Sequence, residues 1–198
     1  MAKIALTGGI ACGKSTLAKF LRELGIRLLD ADDIVHGLEG VGGAAVPAIA
    51  AAFGAGVIAE SGAVDRARLA DMVFFDPQAR RVLEGILFPR VRARLLAFAE
   101  EPSPSFSIAV IPLLFESHWE GDYDTILCIA SPVALQIDRM VRTRGYSRAQ
   151  AEARLSAQMP VAEKAARADF VVVNDSTTEH LQGEARRLVA WLKERTGQ

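Results

Sequence analysis

A glycine-rich run near the N-terminus carries the residues best suited to chemistry. It begins at Gly8 and ends in Gly13-Lys14-Ser15, and so fits the pattern G-x-x-x-x-G-K-[ST]. Glycines let a backbone close around phosphates with its N–H groups pointing inward, the lysine reaches the β- and γ-phosphates, and the serine hydroxyl binds Mg²⁺. The run predicts a nucleoside triphosphate site with magnesium at Ser15. The residues expected to contact the nucleotide are Gly8, Gly9, Ala11, Cys12, Gly13, Lys14, Ser15 and Thr16.

The flanking sequence supports this interpretation over a chance match. The apolar run Ile4–Leu6 predicts a buried strand before the glycines. A helix packed on a sheet is predicted after them, from apolar residues at i, i+3, i+4 and i+7: Leu17, Phe20, Leu21 and Leu24. A dinucleotide-binding loop would need G-x-G-x-x-G, which the adjacent glycines Gly8 and Gly9 exclude.

A second group of reactive side chains is the acidic turn Asp30-Ala31-Asp32-Asp33, which follows the next predicted strand. Open α/β sheets bind ligands at this end of their strands. A carboxylate there can accept the proton of an attacking hydroxyl, and Asp32 is our candidate for that base. Either Asp30 or Asp33 is expected to cap the following helix instead. The phosphate loop and the acidic turn together predict phosphoryl transfer to a hydroxyl.

Residues 136–167 form a basic segment, with seven basic and three acidic residues in a chain of net charge −1. We predict that Arg139, Arg142 and Arg144 belong to a mobile lid that neutralises charge on the transferring phosphoryl group. Solvated helix faces are the more ordinary interpretation, and we apply it to the remaining four: Arg148, Arg154, Lys164 and Arg167.

Two more polar residues follow predicted strands. Glu116 is expected to orient a magnesium-bound water or the acceptor, with a helix-start acid as the alternative. Asn174 is expected to line the pocket for the nucleotide base, with an ordinary polar turn as the alternative.

The elements that position these residues alternate between strands and helices. This order predicts an α/β fold with a mostly parallel five-stranded sheet and helices on both faces. The predicted strands are Lys3–Leu6, Arg27–Leu29, Ser107–Ile111, Thr125–Ala130 and Phe170–Val173.

One domain is expected at this length, with a core of residues 1–32, 103–135 and 168–198, a helical insertion at 33–102 and the lid at 136–167. The insertion is interpreted as an acceptor-binding lobe, although a purely structural role is the alternative. Its apolar spacing places Leu69, Met72 and Val73 on one helix face, then Leu83, Leu87, Val91 and Leu95 on another, with Pro89 breaking or kinking the pattern.

Composition excludes several classes of protein. No apolar run approaches the roughly 18 residues of a membrane span, and no signal peptide is recognised. Cys12 and Cys128 form neither a C-x-x-C pair nor a disulfide framework, which favours the cytoplasm. The near-zero net charge gives no indication of a nucleic acid partner.

Short motifs are spread over nearly the whole chain: Leu6-Thr7-Gly8-Gly9-Ile10, Gly13-Lys14-Ser15, Asp30-Ala31-Asp32, Phe53-Gly54, Asp65-Arg66, Val73-Phe74, Pro112-Leu113-Leu114-Phe115-Glu116 and Ala157-Gln158-Met159-Pro160. In their order and spacing, these motifs together resemble the dephospho-coenzyme A kinase family. The resemblance implies a P-loop fold like that of nucleoside-monophosphate kinases. It also implies ATP-dependent phosphorylation of the ribose 3′-hydroxyl of dephospho-coenzyme A, the last step of coenzyme A synthesis. Asp32 would be the base, and Thr7 would lie close to the reacting groups.

The chain departs from the family pattern at three places. Phe88 stands where His is usual before Pro89, Thr143 stands where the lid usually has its second arginine, and only Asn174 matches in the turn after the last strand. Which lid arginine meets the phosphate is therefore open.

Alternative functions differ in the motifs that they require. Another small-molecule kinase of the same fold, acting on a nucleotide or a sugar acid, is compatible with the sequence. A GTP-dependent switch would need N-K-x-D and D-x-x-G motifs, which the sequence lacks. A non-catalytic coenzyme-binding regulator would not need both Lys14 and Asp32.

Overall fold

The computed structural model describes residues 2–196. The two ends of the predicted core, residue 1 and residues 197–198, lie outside the described residues. The chain divides into two compact units. One contains residues 1–29 and 98–198, and the other contains residues 30–97.

A five-stranded sheet in the order β2-β3-β1-β4-β5 is the centre of the first unit. Its strands are β1 (Ile4–Gly8), β2 (Arg27–Asp30), β3 (Ser107–Val110), β4 (Thr125–Ala130) and β5 (Phe170–Val173). Strand β1 pairs in parallel with β3 and β4, and β4 pairs in parallel with β5. The predicted strands and α/β fold class are confirmed.

Helices cover both faces of this sheet. Ile4 and Leu6 of β1 belong to a buried cluster shared with α1 (Lys14–Glu23) and α9 (Thr178–Thr196). Because strand residues alternate between faces, Thr7 points to the other side. There the carbonyl of Pro112 accepts hydrogen bonds from both Thr7 and Lys164 of α8 (Val161–Ala166). The predicted burial of Leu24 is wrong, because α1 ends at Glu23 and Leu24 is 40% exposed.

The second unit is helical, as predicted for the insertion. It contains α2 (Ala31–Glu39), α3 (Val46–Phe53), α4 (Arg66–Phe74) and most of α5 (Pro77–Glu100). Its buried cluster includes Ile49, Leu69 and Leu87. Met72 is 46% exposed, so its predicted place on the packed face of α4 is wrong, whereas Leu69 and Val73 do pack there.

Pro89 does not end the helix, contrary to one of the two expectations for it. Helix α5 continues through Pro89 for a total of 24 residues. An internal proline costs about 3 kcal/mol. Leu87, Val91 and Leu95 are buried on α5, and burial contributes roughly 1.5–3 kcal/mol for each such side chain. Their combined burial exceeds the cost of the proline.

The basic segment belongs to α6 (Val133–Arg144), α7 (Arg148–Ser156) and α8. Helix α6 ends at Arg144 and is capped by Gly145, which has a left-handed φ of 68°. Ser147 and Gln150 form a capping box that starts α7. Lys164 was expected on a solvated face, and this is wrong: its side chain is completely buried.

Candidate active site

The glycine-rich run forms a tight loop between β1 and α1, the setting that its motif requires. Gly13 has a left-handed φ of 95°, and a Cβ there would collide with the Asn174 side chain. A Cβ on Gly8 would collide with the Ile129 carbonyl of the neighbouring strand. Only glycine fits both positions, so the ends of the loop are fixed by close backbone approach.

A third glycine, Gly9, is restricted by one side chain of the loop and by two side chains from distant helices. A Cβ on Gly9 would lie 2.8 Å from Gln136 Oε1, 2.9 Å from Cys12 Sγ and 3.2 Å from Val161 Cβ. Gln136 is buried and donates from Nε2 to the Ser131 carbonyl at 2.9 Å. Its Oε1 accepts no hydrogen bond from the described residues. Helices α6 and α8 therefore contact the back of the loop.

The Lys14 side chain folds back onto the phosphate loop. Its Nζ donates to the carbonyls of Gly8 and Gly9, both at 2.8 Å. Ser15 and Thr16 are at least partly exposed in the first turn of α1, where the helix dipole favours anions. The loop thus offers a cation, two hydroxyls and a helix N-terminus on one short stretch of chain.

Two side chains at distant strand ends and one from α6 support the carbonyl side of this loop. Asn174 Nδ2 donates to the Cys12 carbonyl at 2.9 Å, and Ser131 Oγ donates to the Asn174 carbonyl at 2.6 Å. Arg139 donates to the Ala11 carbonyl at 3.3 Å, to Ser131 Oγ at 2.9 Å and to the Asn174 carbonyl at 3.2 Å. Asn174 is buried, and its described contact is with the loop backbone. Its contact with ATP stays a prediction.

Ser131 and Gln136 are residues of this support that the sequence analysis missed. Ser131 directly follows β4, and an analysis of every polar residue that follows a strand would have included it. Gln136 has no comparable signal, because a single glutamine in an amphipathic helix is ordinary.

The other two lid arginines are not brought to the loop by any described contact. Arg142 pairs with Asp138 at 3.5 Å across one helical turn, and its side chain is 75% exposed. Arg144 is exposed at the last residue of α6. Surface pairs of this kind contribute little stability, so both side chains are available for another partner.

Thr7 and Glu116 lie on the opposite face of the sheet from the α1 cluster. Thr7 is completely buried and donates to the Pro112 carbonyl at 3.3 Å. Glu116 accepts from the Met159 backbone N–H at 2.9 Å and pairs with Lys164 Nζ at 2.7 Å. These contacts are with protein groups, and direct contact of Thr7 or Glu116 with a substrate stays a prediction.

Both cysteines are buried and free. Burial raises the pKa of the Cys12 thiol, and burial together with the neighbouring Cys12 raises the pKa of Cys128 to about 12. The two thiols are therefore protonated at neutral pH and are poor nucleophiles.

The acidic turn belongs to the second unit, and its three carboxylates differ in what they do. Asp30 caps α2, accepting a hydrogen bond from the Asp32 backbone N–H at 2.9 Å. Asp32 and Asp33 are exposed in the first turn of that helix. Of the two residues expected to cap α2, Asp30 is therefore the cap and Asp33 is not.

Asp32 also lines a cavity of about 390 Å³ that lies entirely within the second unit. Its polar lining includes His36, Glu39 and Arg66, and Arg66 Nε donates to the Glu39 carboxylate at 2.8 Å. The apolar lining is Val35, Leu69, Ala70, Val73 and Leu83. A cavity with one polar and one apolar region fits an organic molecule that presents a hydroxyl to a carboxylate.

Neither a protein-built metal cluster nor a membrane-spanning helix is present in residues 2–196. No group of three or more His, Cys, Asp or Glu side chains there is placed to hold a metal ion. None of the helices in that range is both long and apolar enough to cross a membrane.

The sheet order and the loop between β1 and α1 define a P-loop kinase fold. A shikimate kinase from Acinetobacter baumannii, solved in complex with shikimate, shares this fold with a TM-score of 0.56 and 17% identity over 98% of this chain and 94% of that one.

Closer relatives identify the family. The dephospho-CoA kinase family model matches residues 2–180. A dephospho-CoA kinase from Anaeromyxobacter dehalogenans is 44% identical over 98% of this chain and 93% of its own. The solved Thermus thermophilus protein TT1252 has a TM-score of 0.82 and 33% identity, covering 96% of this chain and 97% of that one. The chain belongs to the dephospho-CoA kinase family.

Proposed function

We propose that this chain transfers the γ-phosphoryl group of ATP to the ribose 3′-hydroxyl of dephospho-coenzyme A, giving coenzyme A and ADP in the last step of coenzyme A biosynthesis. The observation that carries the proposal is the phosphate loop, held from the ends of two strands and from α6, in a chain of the dephospho-CoA kinase family. Phosphoryl transfer depends mainly on positioning and electrostatic stabilisation, which such a rigid loop supplies.

The loop from Gly8 to Thr16 binds the ATP phosphates through its backbone N–H groups and Lys14. Lys14 Nζ exchanges its contacts with the Gly8 and Gly9 carbonyls for the β- and γ-phosphates. Arg139 is the lid arginine closest to this chemistry, because it already contacts the Ala11 carbonyl. Arg142 and Arg144 supply further positive charge when the lid closes.

Mg²⁺ accompanies ATP, and Ser15 is the residue that would hold it. The hydroxyl of the exposed Ser15 at the start of α1 fits an ion that keeps most of its waters and takes few protein ligands. When bound, the ion neutralises charge on the β- and γ-phosphate oxygens.

Asp32 is the general base. Its exposed carboxylate lines the cavity of the second unit, so an acceptor held there can give up a hydroxyl proton to it. The apolar wall formed by residues such as Leu69 and Val73 suits the uncharged parts of the acceptor.

The cytoplasm is the proposed location. Two buried free thiols favour a reducing compartment.

An acceptor panel tests the reaction. The protein is incubated with Mg-ATP and dephospho-coenzyme A, shikimate, nucleosides or nucleoside monophosphates, and products are identified by mass spectrometry. We expect a single phosphorylation, on the ribose 3′-hydroxyl of dephospho-coenzyme A. Phosphorylation of another acceptor at a higher kcat/KM would contradict the proposal.

A further inference from the structure

Lys164 is unusual because it is a charged side chain with no exposed surface. Its Nζ donates to the Pro112 carbonyl at 2.8 Å and lies 2.7 Å and 3.0 Å from the two Glu116 carboxylate oxygens. An ammonium group has three N–H donors, and these three oxygens can accept all of them. Such complete pairing is what permits a charge to be buried.

These contacts hold one stretch of chain at two points. Glu116 accepts from the Met159 N–H just before α8, and it also pairs with Lys164 within that helix. The Pro112 carbonyl, the third acceptor, is shared with the Thr7 hydroxyl at the end of β1. The start of α8 is therefore fixed to the strand that leads into the phosphate loop.

Helix α8 in turn contacts that loop. A Cβ on Gly9 would lie 3.2 Å from Val161 Cβ, so the first residue of α8 touches the Gly9 backbone. The Gly9 carbonyl accepts a hydrogen bond from Lys14 Nζ at 2.8 Å. A displacement of α8 would change the packing directly behind the residues that bind phosphate.

We infer that Lys164 is a positioning residue for the ATP site. It acts through Val161 and the Gly9 backbone, and it touches neither substrate nor reacting atoms. Without the link to Glu116, α8 moves away from Gly9 and the loop N–H groups lose their alignment with the phosphates. The kinetic part of this inference rests on the proposed function, whereas the nucleotide-binding part does not.

The test compares Lys164→Met with the double variant Lys164→Met/Glu116→Gln. The single variant leaves the Glu116 charge without its counterion and is expected to melt at a lower temperature. In the double variant the new amide is neutral and its oxygen can still accept from the Met159 N–H, so stability should partly return. Lys193→Met, on an exposed position of α9, is the matched control and should behave as wild type.

Calorimetric titration with Mg-ADP gives the binding readout, corrected for the folded fraction. We expect both Lys164 variants to bind Mg-ADP roughly 10-fold more weakly, since the loss of one hydrogen bond from a loop N–H to a charged phosphate corresponds to about a tenfold change in dissociation constant. KM for ATP should rise by a similar factor in both variants. In the Lys164→Met single variant, which keeps the Glu116 carboxylate, KM for dephospho-coenzyme A should change less than about twofold.

A purely structural role would lower the melting temperature without changing Mg-ADP affinity per folded molecule. The inference is overturned if the double variant binds Mg-ADP as wild type does, and this outcome stays decisive if the single variant does not fold. A wild-type protein that binds Mg-ADP but phosphorylates no acceptor refutes the proposed function, and the binding comparison still tests Lys164.

Discussion

Replacement of Asp32 by Asn separates base catalysis from every other role of the acidic turn. The Asp32 side chain is exposed, and the cap of α2 comes from Asp30, which binds the Asp32 backbone N–H. Asp32→Asn therefore leaves the cap intact and removes one negative charge from the first helical turn. That charge contributes about 0.3–1 kcal/mol through the helix dipole. In a chain of this size such a loss lowers Tm by only a few degrees.

The effect on catalysis should be much larger. A general base contributes roughly 10²–10⁴-fold in rate, or about 3–5 kcal/mol of activation free energy. We expect kcat of Asp32→Asn to fall by about 100-fold or more, with little change in the dissociation constants of ATP and dephospho-coenzyme A. The amide keeps the size of the side chain but cannot accept the hydroxyl proton.

Asp33→Asn is the matched control, because Asp33 is also exposed in the first turn of α2 and loses the same charge. Steady-state ADP release, calorimetric acceptor binding and thermal melting are measured for both variants. Similar melting with a much larger kcat loss at Asp32 supports the assignment. Equal kcat losses, or a larger loss at Asp33, would refute it.

Other groups lead to further predictions. Lys14→Ala should lower turnover by roughly 100-fold or more, because a phosphate-binding cation is lost. The change in Tm should be small, because Lys14 is partly exposed. Unchanged turnover in an ADP-release assay would contradict this prediction. Arg139→Ala should reduce turnover more than Arg142→Ala or Arg144→Ala, since of these three arginines only Arg139 contacts the loop. The Arg142/Arg144 double alanine variant should lose more turnover than either single variant. Wild-type turnover of that double variant would exclude a lid role for both residues. Above pH 9 the unfolded Cys128 thiol ionises while the folded one, with a pKa of about 12, stays protonated, so the unfolding free energy should fall with pH by up to about 1.4 kcal/mol per unit. Cys128→Ala should reduce that slope in urea unfolding from about pH 8 to about 10.5, and an identical slope would disprove the contribution.

The sequence by itself determined the features that depend on neighbouring residues. The phosphate loop is eight consecutive residues, so its glycines, lysine and serine reveal the loop without any tertiary information. Buried parallel strands are continuous apolar runs, which is why β1, β3, β4 and β5 were located to within about two residues. The same accuracy holds for β2, although its residues are only partly buried. The acidic turn was also found this way, although its spacing left open whether Asp30 or Asp33 caps α2.

Only the tertiary structure decided which distant residues support the loop. Asn174, Ser131 and Arg139 contact the carbonyls of Cys12 and Ala11 from 162, 119 and 128 residues away. Parallel strands bring their carboxyl ends to one edge of the sheet, which places Ser131, Asn174 and the helix α6 that carries Arg139 beside the loop. The burial of Lys164 could not be read from its helix either, since a lysine is buried only where acceptors surround it. Those acceptors, Pro112 and Glu116, lie about 50 residues earlier in the chain, so no local pattern records them.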